Sequence, residues 1–232
     1  MPGFKIHITA STAMGVVYGG TALVGYEQPL ETCLLATGLC SVSGMLPDLD
    51  SGPGRPLRES VTFAAAVVPM LLLDRFKHMG MSHDAMVLAG GLIYLGIRFG
   101  LAAVLRHYSV HRGMFHSLPT ALIFSELAFL LCSSGGLPLR FYEAGAVMMG
   151  FLSHLILDEI WSIEWRGFRP GLKSSAGTAF KAWGPCLWSN ALTYVLMVAT
   201  TLVVLNDPIW ANRPATEEAH EVASSLIEHF KR

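Results

Sequence analysis

Seven histidine and aspartate side chains give this sequence its clearest capacity for metal chemistry. They stand at the ends of long apolar segments, and they are His7, Asp48, Asp50, His111, His116, His154 and Asp158. Imidazole nitrogen and carboxylate oxygen together suit zinc, and also manganese or iron. If the apolar segments are membrane helices, all seven residues fall at helix ends on the same side. The sequence therefore predicts a divalent metal site at a membrane surface.

Two pairs of these residues have informative spacing. His154 and Asp158 are four residues apart, so on a helix they lie about 40° apart and can reach one cation. His111 and His116 are five apart and would point about 140° apart on a regular helix, so a shared role requires the turn that Gly113 permits. The alternatives are a His–Asp hydrogen bond at the surface and interfacial histidines bonded to lipid headgroups.

Asp48 and Asp50 follow Pro47 at the end of the second apolar segment. Carboxylates near a helix C-terminus meet the negative end of the helix dipole, which is unfavourable unless a cation is present. A solvated turn is the alternative, because Pro and Asp are common turn residues. Either aspartate can also act as a general base, with Asp50 as the catalytic candidate, and Arg112 can stabilise negative charge on a reacting oxygen.

A polar, glycine-containing segment near the C-terminal third carries three candidate substrate-binding residues, Lys173, Thr178 and Lys181. Ammonium, hydroxyl and backbone N–H groups together suit a phosphate. An interfacial loop anchored by tryptophans is the alternative.

The composition is typical of a membrane protein. Of 232 residues, 52% are hydrophobic and 14% are charged, whereas a soluble domain carries about 25% charged residues. The net charge of -1 and the scattered basic residues predict no nucleic acid partner. The four cysteines are widely spaced, which predicts neither a disulfide framework nor a cysteine metal site.

Apolar segments long enough to cross or enter a membrane recur along the chain. There are seven, at about 8–25, 30–46, 60–73, 85–105, 117–134, 141–160 and 186–206. They predict an all-α polytopic bundle with about six or seven spanning or membrane-buried helices. We expect residues 1–212 to form the membrane-embedded domain and 213–232 to form a polar tail with an amphipathic helix.

Alternation of these segments predicts which face is cytoplasmic. The N-terminus and three loops share the side with most basic residues, namely Lys5, Arg55, Arg58, Arg106, Arg112, Arg166, Arg169, Lys173 and Lys181. By the positive-inside tendency this side is cytoplasmic, and the N-terminus lies there. Two charges fall within membrane segments, Arg98 and Glu126, at similar depth, and we expect them to pair.

The sequence resembles a bacterial inner-membrane, metal-dependent hydrolase family related to the LexA-regulated YdjM-like proteins. The resemblance covers about residues 4–160. It rests on His7, Pro47-Asp48-x-Asp50, His111-Arg-Gly-x-x-His116-Ser117 and Ser153-His154-x-x-x-Asp158. It implies an inner-membrane location, hydrolase activity and a ligand role for these histidines and aspartates.

The preferred hypothesis is a membrane hydrolase in which one or two divalent ions, with zinc as first choice, activate water at the cytoplasmic face. Seven candidate ligands exceed the three usual at one catalytic zinc, which is compatible with two ions as well as one. A phosphoester or lipid-linked substrate, met within membrane lipid, fits the location. The alternatives are a metal ion or proton transporter, and a non-catalytic scaffold with a structural metal.

Overall fold

A computed structural model describes residues 3–50, 54–101, 103, 114–132, 136–166, 169–172 and 180–210. For residues 50, 55, 163–166 and 169–172 it describes the backbone alone. The predicted amphipathic helix at 213–232 lies outside these ranges, and the boundary at residue 212 stays a prediction.

The chain is an all-α bundle, as the apolar segments predict. Its helices are α1 (Phe4–Gly25), α2 (Leu30–Ser43), α3 (Arg55–Leu71), α4 (Leu73–His78), α5 (His83–Leu95), α6 (Leu118–Leu131), α7 (Leu137–Ile160) and α8 (Leu187–Leu205). Tighter 3-10 turns follow α2 at Leu46–Asp50 and α8 at Pro208–Trp210, and α5 continues as a wider π-helical turn at Gly96–Leu101. A short antiparallel hairpin, β1 (Ile163–Arg166) and β2 (Arg169–Leu172), follows α7.

Four helices in the described part of the chain are long and apolar enough to cross a membrane: Phe4–Gly25, Pro56–His78, His83–Leu101 and Leu187–Leu205. The second of these corrects the sequence prediction of a short segment at 60–73, because the apolar span Pro56–His78, formed by α3 and α4, has 23 residues. α2 and α6 have 14 residues each. They are shorter than a full span, and each buries one face against its neighbours, where Ala36, Cys40 and Ala121 are fully buried.

Close packing of α1, α2 and α7 depends on glycines. Gly15 faces the backbone of α2, where an added Cβ would come within 2.7 Å of the Thr37 carbonyl oxygen. Gly150 of α7 lies so near α2 that a Cβ would overlap the Cys40 carbonyl oxygen. Small residues allow such contact between membrane helices, where apolar burial alone gives little association. This α1–α2–α7 unit fixes the relative positions of three helix ends.

The peripheral helices contact fewer neighbours. α5 packs on α3 and buries none of its residues, and α8 packs on α6. Apolar side chains cover the outer surfaces of both helices, including Leu92 at 61% and Val195 at 65% exposure. These surfaces suit contact with lipid acyl chains.

Glu126 on α6 has different partners from the one predicted. Its carboxylate accepts hydrogen bonds from the hydroxyls of Thr200 and Thr201 on α8, the second at 2.6 Å. The predicted pairing with Arg98 is therefore wrong. The sequence argument placed both charges at one depth, but in the bundle α6 packs against α7 and α8.

A buried ion cluster joins three helices at the end of the bundle where α4 and α8 end and α7 begins. Asp207 accepts hydrogen bonds from Arg75 of α4 at 2.9 Å and from Arg140 of α7 at 3.0 Å. Beside it, Trp210 stacks on Phe129 with ring centroids 6.0 Å apart. Because Asp207 lies two residues after the end of α8, this cluster fixes the end of α8 against the bundle.

Candidate metal centre

One end of the bundle collects five of the seven predicted ligands. His7 lies in the first turn of α1, Asp48 in the 3-10 turn after α2, His116 just before α6, and His154 and Asp158 in the last two turns of α7. These helices alternate in direction, so two beginnings and two ends meet. His7 was expected to precede the first helix, but α1 begins at Phe4 and carries His7 on its buried face.

The ligand atoms of the five residues form a contiguous cluster. Asp158 Oδ1 lies 3.5 Å from His7 Nε2, and its Oδ2 lies 3.6 Å from His154 Nε2 and 3.9 Å from His116 Nε2. Asp48 Oδ1 lies 3.5 Å from His116 Nε2 and 3.8 Å from His154 Nε2. The geometry brings together atoms that are 38 or more positions apart in the chain, except for the pair on α7.

These separations fit ligands of a shared cation. They exceed normal N–H···O hydrogen bonds, which end near about 3.2 Å. Two ligands held about 2.0–2.1 Å from one tetrahedral ion lie about 3.4 Å apart. Two overlapping groups of ligand atoms each lie within 4.8 Å of one another: the first is His7, His154 and Asp158, and the second is Asp48, His116 and His154.

The His154 ring is held in one orientation. Its Nδ1 lies 2.7 Å from the Gly44 carbonyl oxygen, so Nδ1 carries the proton and donates it to that oxygen. The lone pair of the neutral ring is then on Nε2, which faces the cluster. Hydrogen bonds of this kind to the non-ligating nitrogen are usual for metal-binding histidines. His7 stacks on the same ring with centroids 3.7 Å apart.

Two atoms at the centre of the cluster lack ordinary partners. His154 Nε2 and Asp158 Oδ1 are buried and, within the described residues, have no hydrogen-bond partner. Buried polar atoms without a partner are rare and costly. Binding of divalent metal would satisfy both atoms, and the mixed nitrogen and oxygen donors fit zinc or manganese.

Asp48 is the most accessible of the five. Its side chain is 26% exposed, against 6% or less for the other four. Burial on its own raises the pKa of the Asp48 carboxyl. The contact with His116 and, when the rings are protonated, the charges of His154, His116 and His7 outweigh that effect and hold the pKa below the usual aspartate value. Asp48 is therefore ionised near neutral pH, as a metal ligand must be.

The turn that carries His116 is fixed by neighbouring hydroxyls. The Ser117 hydroxyl accepts a hydrogen bond from Thr120 N, which caps α6. Both Ser117 Oγ and Thr120 Oγ1 donate to the Met114 carbonyl oxygen. Ser117 is therefore the N-cap of α6.

Lys181, a predicted substrate-binding residue, lies next to this turn. Its carbonyl oxygen accepts a hydrogen bond from Leu118 N at 3.4 Å, and its backbone pairs with Ser117. The backbone of Lys181 thus borders the residue that follows His116.

Several predicted residues fall where the structure describes no side chain. His111, Arg112, Lys173 and Thr178 lie outside the described residues, and of Asp50 only the backbone is described, in the same 3-10 turn as Asp48. Their proposed roles stay predictions.

Sequence reasoning missed the part of the site that orients the ligands. Gly44 supplies a carbonyl rather than a side chain, and Ser11 packs against it from α1. Ser11 Oγ also donates to the Ser41 carbonyl oxygen at 2.8 Å. The only sequence signal was a glycine between an apolar helix and the Pro47-Asp48 turn.

The fold and the cluster define a helical membrane protein with a histidine and aspartate centre at one end of its bundle. A family model described as YdjM inner membrane protein matches residues 1–220. The chain belongs to this family, which confirms the resemblance drawn from the sequence. Searches of curated proteins and of solved structures gave no match.

Proposed function

We propose that this protein is a membrane-bound, metal-dependent hydrolase that acts at the cytoplasmic face of the bacterial inner membrane. One observation carries the proposal: His154 Nε2 and Asp158 Oδ1 are buried without hydrogen-bond partners among the described residues, beside the partly exposed Asp48. This arrangement suits a cation held from inside the bundle and reached from outside.

A divalent ion in this cluster would lower the pKa of water and polarise an ester oxygen. The residues themselves divide the remaining work. A lowered pKa suits Asp48 as a ligand and makes it a weak general base, so we assign the base to Asp50. Arg112 is assigned to the negative charge that develops on the substrate oxygen.

The surroundings of the cluster favour a lipid-linked or lipid-like phosphoester as substrate. Exposed apolar and aromatic side chains stand at this end of the bundle, and they are Ile6, Ile160, Trp161, Phe180 and Trp183. Aromatic residues at such positions prefer the membrane–water interface. Lys181 beside the His116 turn, together with Lys173 and Thr178, is assigned to the phosphate.

A structural metal is the second candidate. Four donors, from Asp48, His116, His154 and Asp158, are enough to close a tetrahedral zinc site with no position for water. In that case the ion would join α2, α6 and α7 without catalysis.

The test compares His154→Ala with His78→Ala in full-length protein purified in detergent. His78 is an exposed histidine at the end of α4, away from the cluster, and serves as the matched control. We expect His154→Ala to lose metal affinity by at least about tenfold and to lose hydrolysis of phosphomonoester, phosphodiester or phospholipid substrates. The control variant should keep both.

Two results separate the candidates. Full metal content and undiminished hydrolysis in His154→Ala would refute the proposed centre. Metal loss in that variant, with a metal-loaded wild type that hydrolyses none of the three substrate classes, would favour the structural metal.

A further inference from the structure

We infer that Asp158 bridges two cations of unequal affinity. The tighter position is formed by Asp48, His116, His154 and Asp158 Oδ2, and the weaker position by His7 and Asp158 Oδ1. This inference rests on the metal centre of the proposed function, but it concerns ion number and order of binding rather than the reaction.

The two oxygens of Asp158 face different partners. Oδ1 lies 3.5 Å from His7 Nε2, whereas Oδ2 lies 3.6 Å from His154 Nε2 and 3.9 Å from His116 Nε2. A carboxylate that binds a single ion through one oxygen leaves its other oxygen for a hydrogen bond. Oδ1 has no such bond within the described part of the chain, and it is buried. Each oxygen is therefore available to a separate ion.

His154 decides how the other ligands are divided. Its Nδ1 is committed to the Gly44 carbonyl, so the ring has one lone pair to give, on Nε2. The two overlapping ligand groups both contain His154, but one lone pair serves one ion. Nε2 lies near Asp48 Oδ1 as well as Asp158 Oδ2, which assigns His154 to the position that also contains His116.

The division leaves the two positions unequal. The first has four protein donors, and the second has two among the residues that the structure describes. Ions held by few protein donors keep open positions for water or for substrate phosphate. Paired catalytic ions commonly stand about 3.5–4 Å apart, a distance that one bridging carboxylate spans. The second ion should therefore bind last and exchange fastest.

Manganese titration of metal-free, full-length protein in detergent tests this inference. Mn²⁺ is the probe, and electron paramagnetic resonance counts bound ions and detects magnetic coupling between neighbours. We expect two binding classes at least about tenfold apart in Kd, with coupling only after the second ion binds. His7→Ala should remove the weaker class alone, and His116→Ala should weaken the tighter class. His78→Ala is the control and should retain both.

The unmodified protein provides a measurement that does not depend on variant folding. One ion per chain at saturating Mn²⁺, or two ions without coupling, would overturn the inference. So would loss of all binding in a His7→Ala protein that remains monodisperse. Two coupled ions without any hydrolysis would leave this inference standing and refute the hydrolase, whereas hydrolysis with one ion would do the reverse.

Discussion

The hydrogen bond from His154 Nδ1 to the Gly44 carbonyl oxygen controls the candidate centre at the level of a single residue. It fixes both the ring orientation and the tautomer, and it depends on a backbone atom that no side-chain motif encodes. The i, i+4 pair of His154 and Asp158 was predictable because helix geometry alone aligns the two residues. The Gly44 contact was not, because it requires knowledge of which helix end lies beside α7.

The position of His7 in the cluster could not be predicted from its neighbours in the sequence. An isolated histidine near a chain start has no local spacing that marks it as a ligand. Only the shared side of the predicted topology brought His7 into the candidate set, and in the folded bundle His7 stacks on His154.

The partners of Glu126 were mispredicted because equal depth in a membrane does not determine which helices are neighbours.

Among the helices, the contact of α2 with α7 determines the distance between Asp48 and His154. At Gly150 a Cβ would overlap the Cys40 carbonyl oxygen and the Ser43 hydroxyl. We expect Gly150→Ala to separate the two helices, lower the thermal unfolding temperature and weaken Mn²⁺ binding by at least about tenfold.

Gly38→Ala on α2 is the matched control for that substitution. No atom lies within 4 Å of a Cβ built there, so its added methyl group meets open space. Alanine favours a helix over glycine by about 0.5–1 kcal/mol, and the control should be as stable as wild type or slightly more so. Equal metal binding by the two variants would show that the α2–α7 contact does not position the site.

At the opposite end, the Asp207 cluster joins α4, α7 and α8. Burial alone raises the pKa of Asp207, but the Ile209 N–H and the charges of Arg75 and Arg140 outweigh it and hold the pKa below the usual value. A group whose pKa is lowered by folding stabilises the protein above its unfolded pKa of about 3.9. That contribution is lost as the pH falls through the lower, folded pKa.

Replacing Asp207 with asparagine should therefore destabilise the protein at neutral pH by about 3 kcal/mol, because Arg140 is left buried beside a neutral partner. Thermal unfolding in detergent across a pH series measures the effect. The gap between wild type and Asp207→Asn should narrow below about pH 4. A gap that stays constant down to pH 2 would show that the ion pairs do not contribute.

For the molecule as a whole, the orientation in the membrane is the prediction that determines where the centre acts. Cys186 is exposed at the start of α8, near the end of the bundle that carries the histidine and aspartate cluster, whereas Cys33, Cys40 and Cys132 are buried. If this end is cytoplasmic, a membrane-impermeant maleimide should label Cys186 in inside-out vesicles and leave it unlabelled in right-side-out vesicles.

Cys186→Ser provides the matched control and should abolish the labelling. The reverse pattern, with labelling from the outer side, would place the centre in the periplasm and contradict the positive-inside argument. The proposed substrate would then have to come from the outer leaflet.

Bundle class and helix positions were predictable at this scale because a membrane requires long apolar helices. The third apolar segment was underestimated since Arg58, Glu59, Asp74 and Arg75 interrupt its hydropathy at both ends. Sequence periodicity also gave no indication that α7, with its buried Arg140 and Glu143, would lie at the centre of the bundle. Charged side chains are usually exposed, but Arg140 can be buried because it pairs with Asp207 from a distant part of the chain.

Because α5 buries none of its residues, it can vary more than other helices between members of this family. Most of the surface of α5 faces lipid, where a side chain must be apolar but need not fit a particular neighbour. One aliphatic side chain can therefore replace another on α5 with little loss of stability. The contact between α2 and α7 at Gly150 does not tolerate such replacement, because an added side chain would overlap α2. Substitutions that accumulate across related sequences should therefore concentrate on the lipid-facing surface of α5, while the residues of the α2–α7 contact stay nearly constant.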